Sequence, residues 1–389
     1  MFPFHGVDFM EIDSSLNDEE KLVRQTVREF ADQEVIPHIE DWYRDGTFPL
    51  HLAPTMGELG FLGANLTGYG CAEMSNVQYG LIMQELERAD SGLRSFVSVQ
   101  TSLVIHPIHA FGSEEQKQRW LPALQQGKAI GCFGLTEPDF GSNPAAMRSR
   151  AVRDGDDYIL NGEKTWITNG TIADVALVWT RTPEGIRGFL VEKGTPGFTT
   201  KDIKGKMSLR ASVTSSLSLQ DVRIPAANML PNAQGLKAAL DCLTQARYGI
   251  GWGAIGAAMA CYNEALEYAK VRKQFGDKPI ASHQLIQAQF AEMITEITKA
   301  QLLALHVGRL KDLGRADHAH VSMLKRNNVK IALDAARTAR DILGATGVAD
   351  EHPVFRHMCN LESVFTYEGT HNIHTLIIGE RATGIPAYK

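Results

Sequence analysis

The sequence predicts an α+β fold of three consecutive domains: an N-terminal all-α domain at 1–130, a central β-barrel or sandwich domain at 131–235, and a C-terminal four-helix bundle at 236–389. Two observations predict this order. Apolar residues recur at helical spacing at both ends of the chain, whereas the middle is rich in Thr, Val, Ile and Trp with frequent turn signals. A chain of 389 residues also exceeds what a single core usually holds.

Helices are predicted in the N-terminal domain from capping signals and apolar spacing. Asn17, with Glu20 three residues later, resembles a capping box, and apolar residues then recur on one face. Pro37 would end or kink that helix. Further helices are predicted at Ser75–Glu87 and Glu114–Leu124.

The central domain is predicted from strand-like composition between Tyr158 and Pro225. The segment YILNGEKTWIT contains Asn161–Gly162, a two-residue hairpin signal, and SVTSSLSLQDVRIP alternates apolar with polar residues. Further turn signals follow at 169–170 and 193–194. This region is therefore expected to form a β domain.

Four helices are predicted after residue 235, at Leu236–Lys270, His283–Leu313, His320–Leu343 and Ile373–Thr383. Several exceed the average helix length of about 11–12 residues. Because long helices with short connections usually pack against each other in antiparallel fashion, the sequence predicts a four-helix bundle.

The composition is typical of a soluble globular protein. The net charge of −6 and the pI of about 6.1 give no electrostatic reason to expect nucleic acid or an anionic membrane as a partner. Five scattered cysteines (71, 132, 242, 261 and 359) contain no C-x-x-C pair, which argues against a disulfide framework and a zinc ribbon. Without a signal-peptide pattern or an uncharged run of membrane-spanning length, we expect a cytoplasmic protein with no membrane insertion.

A G-x-G-x-x-G pattern occurs in GWGAIG, Gly251–Gly256. A dinucleotide site with this pattern requires a preceding strand and an acidic residue about twenty positions later. The flanking sequence here has helical spacing instead. We therefore interpret these small residues as a ridge at which two helices approach closely.

Glu368 and His371 have the Glu-x-x-His spacing of carboxylate-bridged di-iron bundles. Such a site needs a second Glu-x-x-His and two more glutamates, and no other glutamate of this chain has a histidine three residues later. We predict no metal site and keep a helical metal-carboxylate protein as an alternative of a different class. The other close histidine pairs are expected to be surface or capping residues: His106 with His109, and His318 with His320.

Glu368 is also a candidate general base. It precedes Gly369, and Thr370 is suited to cap a helix beginning near Asn372, which places the carboxylate in a tight loop at a helix entrance. A lone carboxylate can remove an acidic carbon-bound proton when desolvation raises its pKa. By spacing alone, the more common outcome for such a residue is a solvated surface glutamate.

The segment ELERADSGLRS contains Glu87, Arg94 and Ser95. Glu87 and Arg94 are seven residues apart, so two helical turns would put them on one face. An arginine beside a serine hydroxyl is suited to binding a carboxylate, although an arginine at a helix end is more often a dipole partner or a surface charge. The loop Cys132–Pro144 either lines a cofactor with its free N–H groups or is an irregular domain crossover.

Together these segments resemble the acyl-CoA dehydrogenase family, and within it the glutaryl-CoA branch most of all. The branch markers are ELERADSG-RS and SVQ-SLV-HPI. The resemblance implies the domain order given above, a homotetramer, and FAD as the cofactor. Its most specific stretches are GLTEP…GS (134–142), KTWITN (164–169), GKMSLRAS (205–212), ARYGIGWG (246–253), RKQFG (272–276) and YEGTHNIHTLIIG (367–379).

The resemblance also implies which residues would bind the cofactor and CoA. Those expected at the flavin ring are Phe133, Leu135, Thr136, Trp166 and Thr168, with Thr136 and Thr168 as hydrogen-bonding groups. Those expected at the FAD diphosphate, beside a helix N-terminus, are Thr370 and Asn372. Those expected to serve the FAD of a neighbouring subunit are Arg272, Phe275, Gln284 and Gly344. Those expected to hold the pantetheine and nucleotide portions of CoA are Ser142 and Arg247.

Glu368 matches the catalytic base of the family, which removes the α-proton of an acyl-CoA while the β-carbon delivers a hydride to the flavin. In the glutaryl branch, the residues matching Arg94 and Ser95 bind the distal carboxylate of the substrate, and Glu87 orients the arginine. Members that do not decarboxylate have valine in place of Tyr367, so the tyrosine implies conversion of glutaryl-CoA to crotonyl-CoA and carbon dioxide. The electrons would pass to an electron-transfer flavoprotein.

The chain departs from the pattern of this branch at Leu93, Phe96 and Asn143, and in GATG at 344–347. Leu93 and Phe96 are expected to make the acyl pocket more apolar and bulkier. A related acyl-CoA with a distal acidic group is therefore an alternative substrate, for either a dehydrogenase or a non-oxidative lyase.

Overall fold

The structure is a computed structural model that describes residues 1–387, in which helices, a sheet and further helices follow one another along the chain. The predicted α+β fold class is confirmed. The N-terminal part is helical, with π-helical segments at Ala31–Val35 and Val99–Ile105. Its α-helices are α1 (Asp18–Phe30), α2 (Ile39–Asp45), α3 (Ala53–Glu58), α4 (Asn76–Ala89), α5 (Ser91–Ser98), α6 (His106–Phe111) and α7 (Glu114–Gln125).

The predicted capping signal at Asn17 and the predicted helix start at Ser75 both occur in the structure. Asn17 and Glu20 form a capping box at the start of α1, and Ser75 forms another at the start of α4. Pro37 lies in the turn after the first π-helical segment, so the helix ends before it, as predicted.

Within residues 1–387, seven strands form one curled sheet. The order is β1–β4–β2–β3–β7–β6, and β5 also pairs with β4. Side chains alternate along β1, so that Cys132 packs inside the sheet domain, whereas Phe133 and the following Leu135 join the core shared with the helices. The strands are β1 (Gly131–Gly134), β2 (Arg150–Asp154), β3 (Asp157–Thr168), β4 (Val175–Thr182), β5 (Gly185–Glu192), β6 (Phe198–Asp202) and β7 (Thr214–Pro225).

The predicted hairpin at Asn161–Gly162 is wrong, because β3 runs through it without a break. Gly162 forms a β-bulge opposite β7 and has a φ of 150°. A Cβ atom at Gly162 would lie 2.2 Å from Ser149 Oγ, so glycine is required there for a close approach and not for a turn. The chain reverses between Asp154 and Asp157, where β2 ends and β3 begins.

The C-terminal part consists of long helices, and the four predicted ones are present with shifted ends. The helix α11 was not predicted. Its buried face includes Arg356, His357 and Asn360, so burial there does not follow an apolar period. The helices are α8 (Gly235–Val271), α9 (Gln284–Asp312), α10 (His318–Leu343), α11 (Val354–Thr366) and α12 (His371–Thr383).

The glycines of GWGAIG lie inside α8, where Gly253 and Gly256 allow α4 to pack directly against it. A Cβ atom at Gly256 would lie 1.8 Å from the backbone oxygen of Gln84, and one at Gly253 would lie 2.1 Å from Glu87 Oε2. The segment is therefore a helix-packing ridge, as predicted. The close contact also sets Glu87 of α4 against α8.

Replacing Gly256 with alanine is expected to lower the free energy of unfolding by about 1–3 kcal/mol, because the new methyl group would overlap a backbone atom that cannot rotate away. Chemical denaturation measures this change. Gly379→Ala is the matched control, since Gly379 is also helical and has no atom within 4 Å of an added Cβ. Equal stability of the two variants would contradict the packing role of the ridge.

Candidate active site

The loop between α11 and α12 adopts a left-handed backbone at two consecutive residues. Glu368 has a φ of 52° and Gly369 a φ of 94°. Thr370 then caps α12 by accepting a hydrogen bond from the N–H of Ile373, as the sequence predicts. A left-handed glutamate costs about 1–3 kcal/mol and persists only where its surroundings fix it.

Two buried cations hold this loop by its carbonyl oxygens. Arg247 Nε on α8 donates to the Glu368 carbonyl at 2.7 Å. Lys325 Nζ on α10 donates to the carbonyls of Tyr367 and, at 2.7 Å, Gly369. Three consecutive carbonyls are thereby bound from two helices that pack against each other.

Glu368 is half-buried, and one oxygen of its carboxylate is withdrawn from solvent. Its Oε2 atom is shielded and has no hydrogen-bond partner among the described residues. Burial raises the pKa of Glu368, although Lys325, Arg94 and Arg247 oppose the shift electrostatically. The alternative of a solvated surface glutamate is therefore wrong.

Arg94 is fully buried and lies at the same loop. Its Nε donates to Glu87 Oε2 at 2.6 Å, its Nη2 donates to the Tyr367 hydroxyl, and its Nη1 has no partner among residues 1–387. Burial disfavours the charged guanidinium, but the interactions with Glu87 and Tyr367 outweigh it and raise the pKa of Arg94. Neither a surface charge nor a helix-dipole partner describes this residue.

Glu87 and Arg94 meet, but not on one continuous helix as the sequence suggested. The chain is extended at Asp90, which ends α4 and caps α5 by accepting from the Gly92 N–H at 2.7 Å. Ser95 follows Arg94 on α5 and is also buried. An unpartnered guanidinium nitrogen and an unpartnered carboxylate oxygen, both buried, are the pattern expected where a ligand completes the hydrogen bonding.

A second group of predicted residues gathers where β1 and β3 end. The Thr165 N–H donates to the Thr136 carbonyl at 2.9 Å, and Lys164 Nζ donates to the Leu135 carbonyl at 3.1 Å. An irregularity of β3 between Lys164 and Ile167 leaves the Trp166 side chain 62% exposed, with a φ of 60°.

An exposed indole beside the half-buried residues Thr136 and Thr168 fits a flat, hydrogen-bonding ring system such as a flavin. Phe133 and Leu135 are buried behind this surface in the shared core.

Three protein-family models match the chain. These are the N-terminal domain of acyl-CoA dehydrogenase over residues 17–128, its middle domain over 132–222 and its C-terminal domain over 233–383. The chain belongs to the acyl-CoA dehydrogenase family.

Solved structures with high similarity come from the same family. A glutaryl-CoA dehydrogenase from Mycobacterium smegmatis is 57% identical with a TM-score of 0.97, covering 98% of this chain and 99% of that one. A glutaryl-CoA dehydrogenase from the same organism, in complex with FADH2, is 51% identical with a TM-score of 0.98 over 100% of both chains. Probable acyl-CoA dehydrogenase YngJ of Bacillus subtilis (strain 168) is 36% identical over 374 residues, 94% of this chain and 98% of its own.

In this member of the acyl-CoA dehydrogenase family, the residues predicted to serve a neighbouring subunit are exposed. Phe275 is 98% exposed with a φ of 55°, in the connection between α8 and α9. Their role in FAD binding remains a prediction, as do the roles of Ser142 and Asn372, which are also exposed. The other exposed members of the set are Arg272, Gln284 and Gly344.

Leu93 and Phe96, which were expected to reshape the acyl pocket, lie in the core. Phe96 is 1% exposed, and its ring centroid lies 4.7 Å from that of Phe48. Leu93 is fully buried.

Two residues beside Glu368 were missed by sequence reasoning. Lys325 lies on the buried face of α10, beside Leu324 and one turn before Asn328. A lysine within a mostly apolar helix face was the sequence signal that could have indicated a buried functional residue. His374 on α12 is buried with both ring nitrogens unpartnered among the described residues, and burial together with Lys325 and Arg247 lowers its pKa to about 2.

His371 packs against the end of α11. Its ring stacks on Phe365, with centroids 4.5 Å apart. No group of three or more His, Cys, Asp or Glu side chains in the described part of the chain is arranged to hold a metal ion. Within the same residues, no helix is both long enough and apolar enough to cross a membrane.

Proposed function

We propose that this protein is a FAD-dependent glutaryl-CoA dehydrogenase that converts glutaryl-CoA to crotonyl-CoA and carbon dioxide. One observation carries the proposal: the buried Arg94 contacts the loop of Glu368 through Tyr367, and both Arg94 Nη1 and Glu368 Oε2 are buried without a partner among residues 1–387. A substrate that carries an acidic α-carbon at one end and a carboxylate at the other would match both residues: the α-carbon would meet the glutamate, and the carboxylate would meet the arginine. The similarity to glutaryl-CoA dehydrogenases at 51–57% identity supports the same substrate.

Each end of the site has a defined task. Arg94 Nη1 pairs with the distal carboxylate of the substrate, while Glu87 fixes the guanidinium from the other side. The Glu368 carboxylate removes the α-proton, and its raised pKa makes it a stronger base than an ordinary glutamate. FAD, when bound, accepts the hydride that leaves the β-carbon.

The second step breaks the bond between the γ-carbon and the distal carboxylate. Carbon dioxide leaves, and its bonding electrons pass into the unsaturated thioester to give a dienolate. Glu368, protonated in the first step, returns its proton to the γ-carbon, which yields crotonyl-CoA and restores the carboxylate. Tyr367, which hydrogen-bonds Arg94, occupies the position that distinguishes decarboxylating members by resemblance.

FAD would be held by Thr136, Trp166 and Thr168 at its ring and by the first turn of α12 at its diphosphate. We further propose a homotetramer, in which the exposed connection after α8 serves the FAD of a neighbouring subunit, and an electron-transfer flavoprotein as the acceptor.

The products formed from glutaryl-CoA and an artificial electron acceptor test the proposal by mass spectrometry. Crotonyl-CoA is the expected product. Accumulation of glutaconyl-CoA would retain the dehydrogenase and refute the decarboxylation. Unchanged glutaryl-CoA, with FAD bound to the protein, would refute the substrate.

The rate of flavin reduction is expected to fall at acidic pH, with a midpoint above the ordinary glutamate pKa of 4.5. The base must be ionised to accept a proton, and burial shifts its ionisation to higher pH. Stopped-flow measurements of the flavin-reduction rate against pH locate the midpoint. A rate that stays constant down to the ordinary value would contradict desolvation of the base.

A further inference from the structure

We propose that Lys325 is a positioning residue for Glu368, which it holds through the two carbonyls on either side and whose ionised carboxylate it stabilises by charge. The inference rests on the proposed role of Glu368 as the base. Lys325 touches the backbone of the loop and not the carboxylate, so its action on the reaction is indirect.

Lys325 binds the backbone on both sides of Glu368. The residue is 2% exposed, and the two bonds from its Nζ, to the carbonyls of Tyr367 and Gly369, span Glu368. A buried ammonium without such acceptors would be strongly disfavoured, so the loop and the lysine satisfy each other. Since Glu368 has a left-handed φ of 52°, losing these bonds would let its backbone relax.

The helix that carries Lys325 is itself fixed. Asn328, one turn later, donates from Nδ2 to the Gly251 carbonyl of α8 at 2.9 Å. The same helix α8 carries Arg247, which binds the Glu368 carbonyl. The loop is therefore clamped between two joined helices, which makes Lys325 part of a rigid frame.

Several titratable groups face Glu368 from the surrounding elements. Lys325 on α10, Arg94 on α5 and Arg247 on α8 favour the ionised carboxylate. Tyr79 on α4 and Tyr367 on the loop interact with it electrostatically, and the pKa of each tyrosine is raised by burial. His374 on α12 has a lowered pKa and stays neutral. Burial lowers the pKa of Lys325 itself to about 7, so its positive charge acts on Glu368 in the acidic range. Removing that charge therefore leaves a more basic carboxylate that ionises at higher pH.

Hydrogen exchange of acetyl-CoA in deuterium oxide isolates this function. Acetyl-CoA has α-hydrogens but no β-carbon, so it cannot be dehydrogenated, and incorporation of deuterium into its methyl group reports proton removal alone. Mass spectrometry measures the exchange rate against pH for the FAD-containing protein. Glu368→Gln defines the rate without the base.

Two variants separate the parts of the inference. Lys325→Met removes the donors and the charge, and its exchange rate is expected to fall about 100-fold, the effect of a displacement near 1 Å. Lys325→Gln keeps an amide donor on a side chain one bond shorter, and a smaller loss is expected. In both variants the acidic limb of the profile should move to higher pH, because both lack the charge.

Lys330→Met is the matched control, since this lysine lies on the same helix, is exposed and pairs with Asp334. It should match the wild type in rate and profile. FAD content and circular dichroism identify which variants fold. An unchanged rate and profile in a folded Lys325 variant would overturn the inference alone, whereas no exchange by the wild type would overturn the assigned base and this inference with it.

Discussion

A Glu368→Gln variant is expected to lose flavin reduction by glutaryl-CoA almost entirely, with a rate at least about 10³-fold lower, within the range typical of a lost general base. The amide has nearly the shape of the carboxylate but cannot accept the α-proton. Because Oε2 of Glu368 has no partner among the described residues, the substitution breaks no hydrogen bond of that atom. Anaerobic stopped-flow absorbance of the flavin measures the rate.

The same variant is expected to be more stable than the wild type at neutral pH. The pKa of Glu368 is higher in the folded protein than in the unfolded chain, so ionisation of Glu368 lowers the stability of the folded state. This cost is absent below the ordinary pKa of 4.5 and complete above the raised value, so the gain in Tm should grow as pH rises. Normal flavin content is the control for folding. Normal bleaching of the flavin by substrate would refute the base.

Removing Arg94 is expected to abolish selectivity for the distal carboxylate. Truncating one partner of a buried charge pair costs about 2–5 kcal/mol, so kcat/KM for glutaryl-CoA should fall by more than tenfold and up to several thousandfold. Butyryl-CoA has no distal carboxylate, and its kcat/KM should change far less. The ratio of the two values is the quantity to measure.

The variant must not leave a buried charge behind. Arg94→Met alone strands the Glu87 carboxylate, which is fully buried and bound by Arg94 at 2.6 Å. The double variant Glu87→Gln/Arg94→Met removes both charges and serves as the test, and Glu87→Gln alone is the control that keeps the guanidinium. An unchanged ratio of glutaryl-CoA to butyryl-CoA activity in the double variant would refute the proposal that Arg94 binds the distal carboxylate of the substrate.

The fold was predictable from the sequence because its signals are local. Capping residues such as Asn17 and Ser75 mark helix starts by hydrogen bonds within one turn. The failures were at residues whose role is set by distant neighbours. Gly162 has the sequence context of a hairpin, yet glycine is required there by the close approach of Ser149, the residue that precedes β2.

The candidate site was predictable only in part, for the same reason. Resemblance indicated Glu368 and Arg94, but spacing could not decide that both are withdrawn from solvent, since burial depends on packing between α4, α5, α8 and α10. The role of Lys325 could not be predicted from the sequence either. Its place on an apolar face was visible, but its acceptors lie more than forty residues away, at Tyr367 and Gly369.

The interruption of the helix at Asp90 connects the segment that carries Arg94 to α11. Asp90 Oδ2 accepts from Arg356 Nη1 at 2.6 Å and from Asn360 Nδ2 at 2.9 Å, both on α11. One end of α11 thus anchors the segment that carries Arg94, and the other leads into the loop of Glu368. Under the proposed function, α11 would therefore link the residue that binds the distal carboxylate to the base, and a dicarboxylic thioester one carbon longer or shorter than glutaryl-CoA is expected to react more slowly.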